Sequence, residues 1–219
     1  MDLSYIVRIV PALLRGAGVT LALFALVFPL SLPLGFLITL CANCRFKPVK
    51  WLAEAYIFVM RGTPLMLQLF FFYYGLPFLP GIGQYLRLSS FAAAALSFTL
   101  NYAAYFAEIF RGGLLSIDRG QYEVSHVLGL TSFQTMTRII IPQMIRVTLP
   151  SIGNEAITLV KDTALVASIA LPELLHYAKG IVTRDFTTTP FIVAAFIYLL
   201  ITFVVTVLFK FAERKTNYE

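Results

Sequence analysis

The residues with the richest chemistry sit in a stretch built for lipid. In LPSIGNEAITLVKDTALVASIALPEL, from Leu149 onward, the polar side chains Asn154, Glu155, Thr158, Lys161 and Asp162 interrupt an otherwise apolar run. An ionised group facing lipid tails costs about 3 kcal/mol or more, so these residues must face protein or water. Glu155 and Asp162 are seven residues apart, nearly two helical turns, and share a face with Thr158 between them. Asn154, Thr158 and Lys161 form the adjacent stripe. A second apolar run carries Asn101 near its middle. Two carboxylates and an amide at such depth could hold an ammonium or guanidinium group. The competing reading is that Lys161 and Asp162 satisfy each other and Glu155 bonds to a backbone group. No nucleophile stands beside a base and no phosphate cradle is present, so the carboxylates do not read as those of a membrane enzyme.

The elements that must position these groups follow from composition. With 59% hydrophobic and 13% charged residues in 219, the chain reads as an integral membrane protein. The net charge of +6 does not point to nucleic acid, because the basic residues are scattered singly near the ends of apolar runs. The expected fold class is an all-α membrane protein, a single domain over 1–219 with about five transmembrane helices, at about 17–42, 51–78, 89–110, 149–171 and 190–211. Met1 to Arg15 is mildly amphipathic and is expected to lie along the membrane surface. Pro29 and Pro33 predict a kink in the first span. Region 51–78 reads either as one kinked span or as a short interfacial helix to about Met60, a break at Gly62 and Pro64, and then a span. Glu108 and Arg111, spaced i, i+3, read as a local pair. Pro150 is expected to open the fourth span and Pro172 to close it.

Depth sharpens the candidate site. At about 1.5 Å per residue, Glu155 lies about 9 Å and Asp162 about 20 Å in from a start near Leu149, and Asn101 about 14 Å from the far end of its span. All three approach mid-membrane, where a transport site is expected. Cys41 and Cys44 form a C-x-x-C, but His126 and His176 stand alone, so no metal site is expected and the thiols read as reduced.

Lysine and arginine decide orientation. With the N-terminus outside, cytoplasmic segments hold nine (Arg45, Lys47, Lys50, Arg111, Arg119, Arg138, Lys210, Arg214, Lys215) and outer segments five (Arg8, Arg15, Arg87, Lys179, Arg184). The positive-inside rule therefore places the C-terminus in the cytoplasm, together with the polar segment 118–142. Within that segment Val124, Val127, Leu128 and Leu130 make an apolar stripe beside Glu123, His126 and Gln134. Such a helix either lies on the lipid surface or docks on another protein.

The segment Glu123-Val124-Ser125, then Gly129, then Ile139, Ile141 and Pro142 resembles the EAA signature of permease subunits of ABC importers, with Val124 and Ser125 where alanines are usual. RGTP at Arg61 to Pro64, NYAAYFAEIFRGG from Asn101, GNE at Gly153 and KDTAL at Lys161 resemble, in the same order, the polar amino-acid branch of that family. The resemblance implies a cytoplasmic coupling helix, with Glu123, His126, Gly129 and Leu130 facing a separate ATP-binding cassette ATPase. It implies substrate contacts at Glu155 and Asp162, to which Asn101 and Thr158 are added by position; Arg61, Pro64, Glu108, Arg111 and Lys161 are read as structural. The chain itself has no G-x-x-x-x-G-K-[ST] loop, so it is expected to be a transport subunit and no enzyme, with ATP and Mg held by the partner ATPase and no cofactor of its own. A second permease subunit, identical or closely related, and an extracytoplasmic amino-acid-binding protein complete the expected partners in a bacterial inner membrane. Glu155 tilts the substrate toward basic amino acids. The alternatives are neutral polar amino acids or cystine within the same family, or an ion-coupled secondary transporter.

Overall fold

The structure, a computed structural model, describes residues 3–217, and all regular structure among them is helical. Met1 and Asp2, the start of the expected surface segment, lie outside the described residues.

Helix α1 runs unbroken from Leu3 to Ala42, so the expected surface segment and first span are one helix of 40 residues. Pro11, Pro29 and Pro33 are all accommodated inside it. Each removes one backbone donor, a loss that neighbouring helices can offset. Its buried face carries small or branched residues four apart, Val27, Ser31, Gly35 and Thr39. That stripe packs on α4 (Ser90–Ser116), where Ser31 Oγ donates to Thr99 O at 3.3 Å and Thr39 Oγ1 to Ala107 O at 3.0 Å. At Gly35 the helices come so close that an added Cβ would lie 2.7 Å from Phe106 Cβ. Small residues permit this approach, and interhelical hydroxyl bonds reinforce it where lipid offers no partner.

Helix α4 is the centre of the bundle, burying Phe98, Asn101, Tyr102, Phe106 and Phe110 among α1, α2 (Lys47–Gly62) and α7 (Ile141–Asp162). Among the described residues only α1 and the α9 segment Thr189–Thr216 are by themselves long and apolar enough to cross a membrane. The polar residues Ser97 and Asn101 of α4 are buried in protein, whereas Asn154 and Lys161 of α7 are exposed.

Region 51–78 is broken. Helix α2 ends at Gly62, the chain is extended at Thr63 and Pro64, and α3 (Leu65–Phe70) continues through a π-helical turn, Phe71–Gly75, and a 3₁₀ turn, Leu76–Phe78. The two limbs are bent by 103°, and taken together they are long and apolar enough to span. Helix α2 buries Ala53 and Ile57 against Ala42 and Ala107.

The fourth expected span also differs in its bounds. Helical turns begin at Ser132, in α6 (Ser132–Thr135), pass through a π turn at Met136–Ile140 and continue as α7 across Pro150 to Asp162. Pro150 does not open the helix, and the α-helix ends nine residues before the expected 171. Thr163–Ile169 is 3₁₀, and Ala170 takes a left-handed φ of 56°. Both π turns stand just before a proline, Pro77 or Pro142. A missing donor frees a carbonyl one turn back, and a widened turn is one way to absorb it. Helix α8 (Leu174–Asp185) is capped by the buried Glu173, which accepts from Leu175 N at 2.8 Å, His176 N at 2.6 Å and Tyr198 Oη of α9 (Thr189–Asn217) at 2.7 Å.

Candidate functional site

The break after α2 exists to be filled. Gly62 and Pro64 end one helix and start another, which leaves carbonyls at Met60 and Thr63 in need of donors. Gln68 Nε2 supplies them, donating to Met60 O at 2.9 Å, Thr63 Oγ1 at 2.7 Å and Thr63 O at 3.3 Å. Asn101 Nδ2 of α4 also donates to Met60 O, at 2.8 Å, and to Gln68 Oε1 at 3.0 Å. Asn101 is buried, and its amide group is spent on stapling the broken helix to α4. It lines the site while its donors point at protein.

Around this staple lies a cavity of about 370 Å³. The broken segment Arg61–Leu65 forms one wall, Asn101, Tyr102 and Tyr105 of α4 the second, and Glu155, Thr158 and Asp162 of α7 the third. The four residues singled out as substrate contacts therefore meet in one place. Tyr102 Oη donates to Asp162 Oδ2 at 2.7 Å, which holds that carboxylate where α7 gives way to 3₁₀ turns. Glu155 is half-buried, and Thr158 Oγ1 donates back to Asn154 O at 3.1 Å. The mutual pairing of Lys161 and Asp162 does not form. Lys161 is exposed and makes no ion pair among the described residues, because Asp162 turns toward Tyr102 and the cavity. Pro64, read as structural, lines that wall together with Gly62.

Arg61 sits at the rim. Its guanidinium carbon lies 5.4 Å from the Tyr105 ring centroid, and Nη1 lies 3.6 Å from Glu108 Oε2. The expected local pair is present, since Arg111 binds Glu108 through Nε–Oε1 at 3.1 Å and Nη2–Oε2 at 2.7 Å. Sequence reasoning missed Gln68, Tyr102 and Tyr105. Gln68 had a signal, a lone amide in the run LMLQLFFF; the two tyrosines were hidden among eleven in the chain.

The polar segment folds as a second candidate surface. Asp118 caps α5 (Arg119–Val127) by accepting from Gly120 N at 2.6 Å. The helix ends in a left-handed turn at Gly129, φ 75°, with Leu130 N bonded to Ser125 O and Gly129 N to His126 O, both at 3.0 Å. That pairing is a Schellman motif, and it needs a residue without a Cβ penalty. Thr131 and Gln134 then form a capping box that restarts the helix. The apolar stripe points away from the bundle: Val127 is 85% and Leu128 70% exposed, with Val124 and Phe133 also open. The small Ser125 faces inward instead. Glu123 and His126 are exposed beside the stripe, and Leu130 is half-buried.

Residues 31–218 match the family described as binding-protein-dependent transport system inner membrane component. The arginine transport system permease protein ArtQ of Bacillus subtilis is 36% identical over 217 residues, covering 98% of this chain and 97% of its own. The L-cystine transport system permease protein TcyB of the same organism is 35% identical over 209 residues, covering 94% and 87%. The solved crystal structure of an amino acid ABC transporter with histidines matches with a TM-score of 0.89 at 34% identity, over 98% of this chain and 99% of that one.

Proposed function

The chain belongs to the family of inner-membrane components of binding-protein-dependent transport systems, and from that premise we propose that it is the translocating subunit of an ATP-driven importer of polar amino acids, with a preference for basic ones. The observation that carries the substrate class is the cavity in which Glu155 and Asp162 converge across from Arg61. Two carboxylates suit an α-ammonium and a cationic side chain, and charge-assisted bonds of this kind are the strong ones. The relatives named for arginine and for cystine bracket the choice, and the second carboxylate favours the former.

Energy comes from outside the chain. The exposed stripe Val124, Val127, Leu128 and Phe133 supports docking of α5 on a separate ATPase, which holds the ATP and Mg. The charge count supports an N-terminus outside and a C-terminus inside, with α5 in the cytoplasm. Three helical walls around one cavity leave room for a second permease subunit, identical or closely related, and an external binding protein would load the site from the α8 side. Closure of the ATPases would move α5 and shift the bundle between outward-facing and inward-facing states.

The test is reconstitution in proteoliposomes with the ATPase and binding protein, measuring uptake of arginine, lysine, histidine, glutamine and cystine. The expected result is uptake that needs both ATP and the binding protein, with basic amino acids first. Uptake driven by an ion gradient without any ATPase would overturn the reading.

A further inference from the structure

Arg61 is a cation with unspent donors. Arg111 already grips both oxygens of Glu108, at 3.1 and 2.7 Å, in the bidentate geometry that makes such pairs strong. Arg61 reaches the same carboxylate only at 3.6 Å, beyond hydrogen-bond length, and its side chain is 41% exposed. It lines the deep cavity and also a neighbouring one of about 430 Å³ that is bounded by Asn43, Lys50, Glu54, Glu108 and Arg111. The guanidinium therefore stands at the boundary of the two, loosely held on one side.

The deep cavity needs such a group. An α-amino acid presents an α-carboxylate as well as an α-ammonium, and a buried carboxylate requires a donor or a counter-charge. Among the residues lining this cavity, Arg61 alone carries a positive charge. The Asn101 amide is spent on Met60 and Gln68, and the Tyr102 hydroxyl on Asp162. Thr158 donates to its own helix. Besides the Tyr105 hydroxyl, the side chains that remain facing the space are acidic and would repel a carboxylate.

Resting on the amino-acid importer reading, we propose that Arg61 binds the substrate's α-carboxylate, and that Glu108 is where its guanidinium parks when the cavity is empty. Recognition then divides in two. Arg61 reads the α-carboxylate, and Glu155 with Asp162 read the α-ammonium and a cationic side chain. A planar guanidinium suits this task because it can offer a carboxylate two parallel bonds.

The test is equilibrium binding of labelled L-arginine and L-glutamine to the permease–ATPase complex in nanodiscs without the binding protein, each competed by its own α-carboxamide. The ratio of amino-acid to amide affinity should fall about tenfold or more from wild type to Arg61→Gln, the usual weight of a bond to a charged group. Arg61→Lys should recover part of it. Amide affinity should be the same in wild type and Arg61→Gln, which shows that the cavity is intact. An equal loss for amino acid and amide, or an unchanged ratio, would overturn the assignment while leaving the importer reading in place. Binding of no L-amino acid by the wild type would overturn both.

Discussion

Replacement of Gly129 separates the backbone of the α5 turn from its surface. The residue has φ 75°, and an added Cβ would meet nothing within 4 Å. Alanine therefore adds no clash, only the left-handed penalty of about 1–2 kcal/mol for an L residue. That penalty depopulates the turn by about 5- to 30-fold relative to alternatives. Asparagine tolerates the left-handed region and should cost less. Aspartate shares that tolerance but adds a charge to a surface bounded by Leu128 and Leu130. The assay is amino acid moved per ATP hydrolysed in proteoliposomes, with thermal unfolding of the complex as a control. All three variants should unfold near the wild-type temperature, because the site is exposed and unpacked. Coupling should be best kept in Gly129→Asn, reduced in Gly129→Ala and lowest in Gly129→Asp. If asparagine fell as far as alanine, the turn's handedness would not be the determinant. Normal coupling in all three would remove α5 from the energy path.

Gly35→Ala should destabilise by about 1–3 kcal/mol, the cost of overpacking, since its Cβ would stand 2.7 Å from Phe106 Cβ and 2.8 Å from Ala103 O. Gly18→Ala on the same helix meets nothing within 4 Å and should not; denaturation in detergent that ranks the two the other way would refute the α1–α4 contact. Asp162→Asn keeps an oxygen for Tyr102 and removes only charge, so uptake of a cationic substrate should fall more than that of a neutral one, and equal losses would mean a structural aspartate. Asp185 accepts from Arg184 Nε at 2.6 Å and Tyr5 Oη at 2.8 Å, and these bonds, Arg184's first, hold its carboxyl well below the usual range. A lowered folded-state value means that its contribution is fully present above the unfolded aspartate value, about 3.9, and fades only as pH falls through the lower one. Amide protection factors in the first turns of α1, rates corrected for the base catalysis of exchange, should therefore be unchanged from pH 8 to 5 and lower in Asp185→Asn; loss of protection in the wild type by pH 5 would contradict this.

Much of the site was legible because charge in lipid is costly. The spacing of Glu155 and Asp162 put both on one helix face, and both line one cavity; the Schellman turn was visible as a lone Gly129 after a helical stripe. Two features were not legible. Proline was read as a boundary at Pro150, yet α7 runs through that position with the ring exposed, because a helix interior can tolerate one lost donor. The role of Asn101 was hidden because an amide looks alike whether it faces a ligand or a carbonyl. Only the position of Met60 O, set by a break 41 residues earlier in sequence, decides which it does.

On the proposed coupling of α5 to an ATPase, the site must change affinity as α5 moves, and the arrangement of the walls supplies a reason. From Ser132 to Asp162 the helical turns are continuous, about 45 Å of rise that joins the Gly129 turn to the three α7 residues of the cavity. Gln143 Nε2 to Gln121 Oε1, at 3.4 Å, ties α7 back to α5. A push on α5 would therefore act on the wall that bears Glu155 and Asp162. Arg61 belongs to the opposite wall, which Asn101 and Gln68 fasten to α4 rather than to α7. A motion shared by both walls would leave affinity as it was. A motion of α7 alone would separate the carboxylates from the guanidinium, so a zwitterion held between them would lose one end. The π turn at Met136–Ile140 is the place where such a motion would be absorbed or passed on, because a widened turn is the softest part of an otherwise continuous helix.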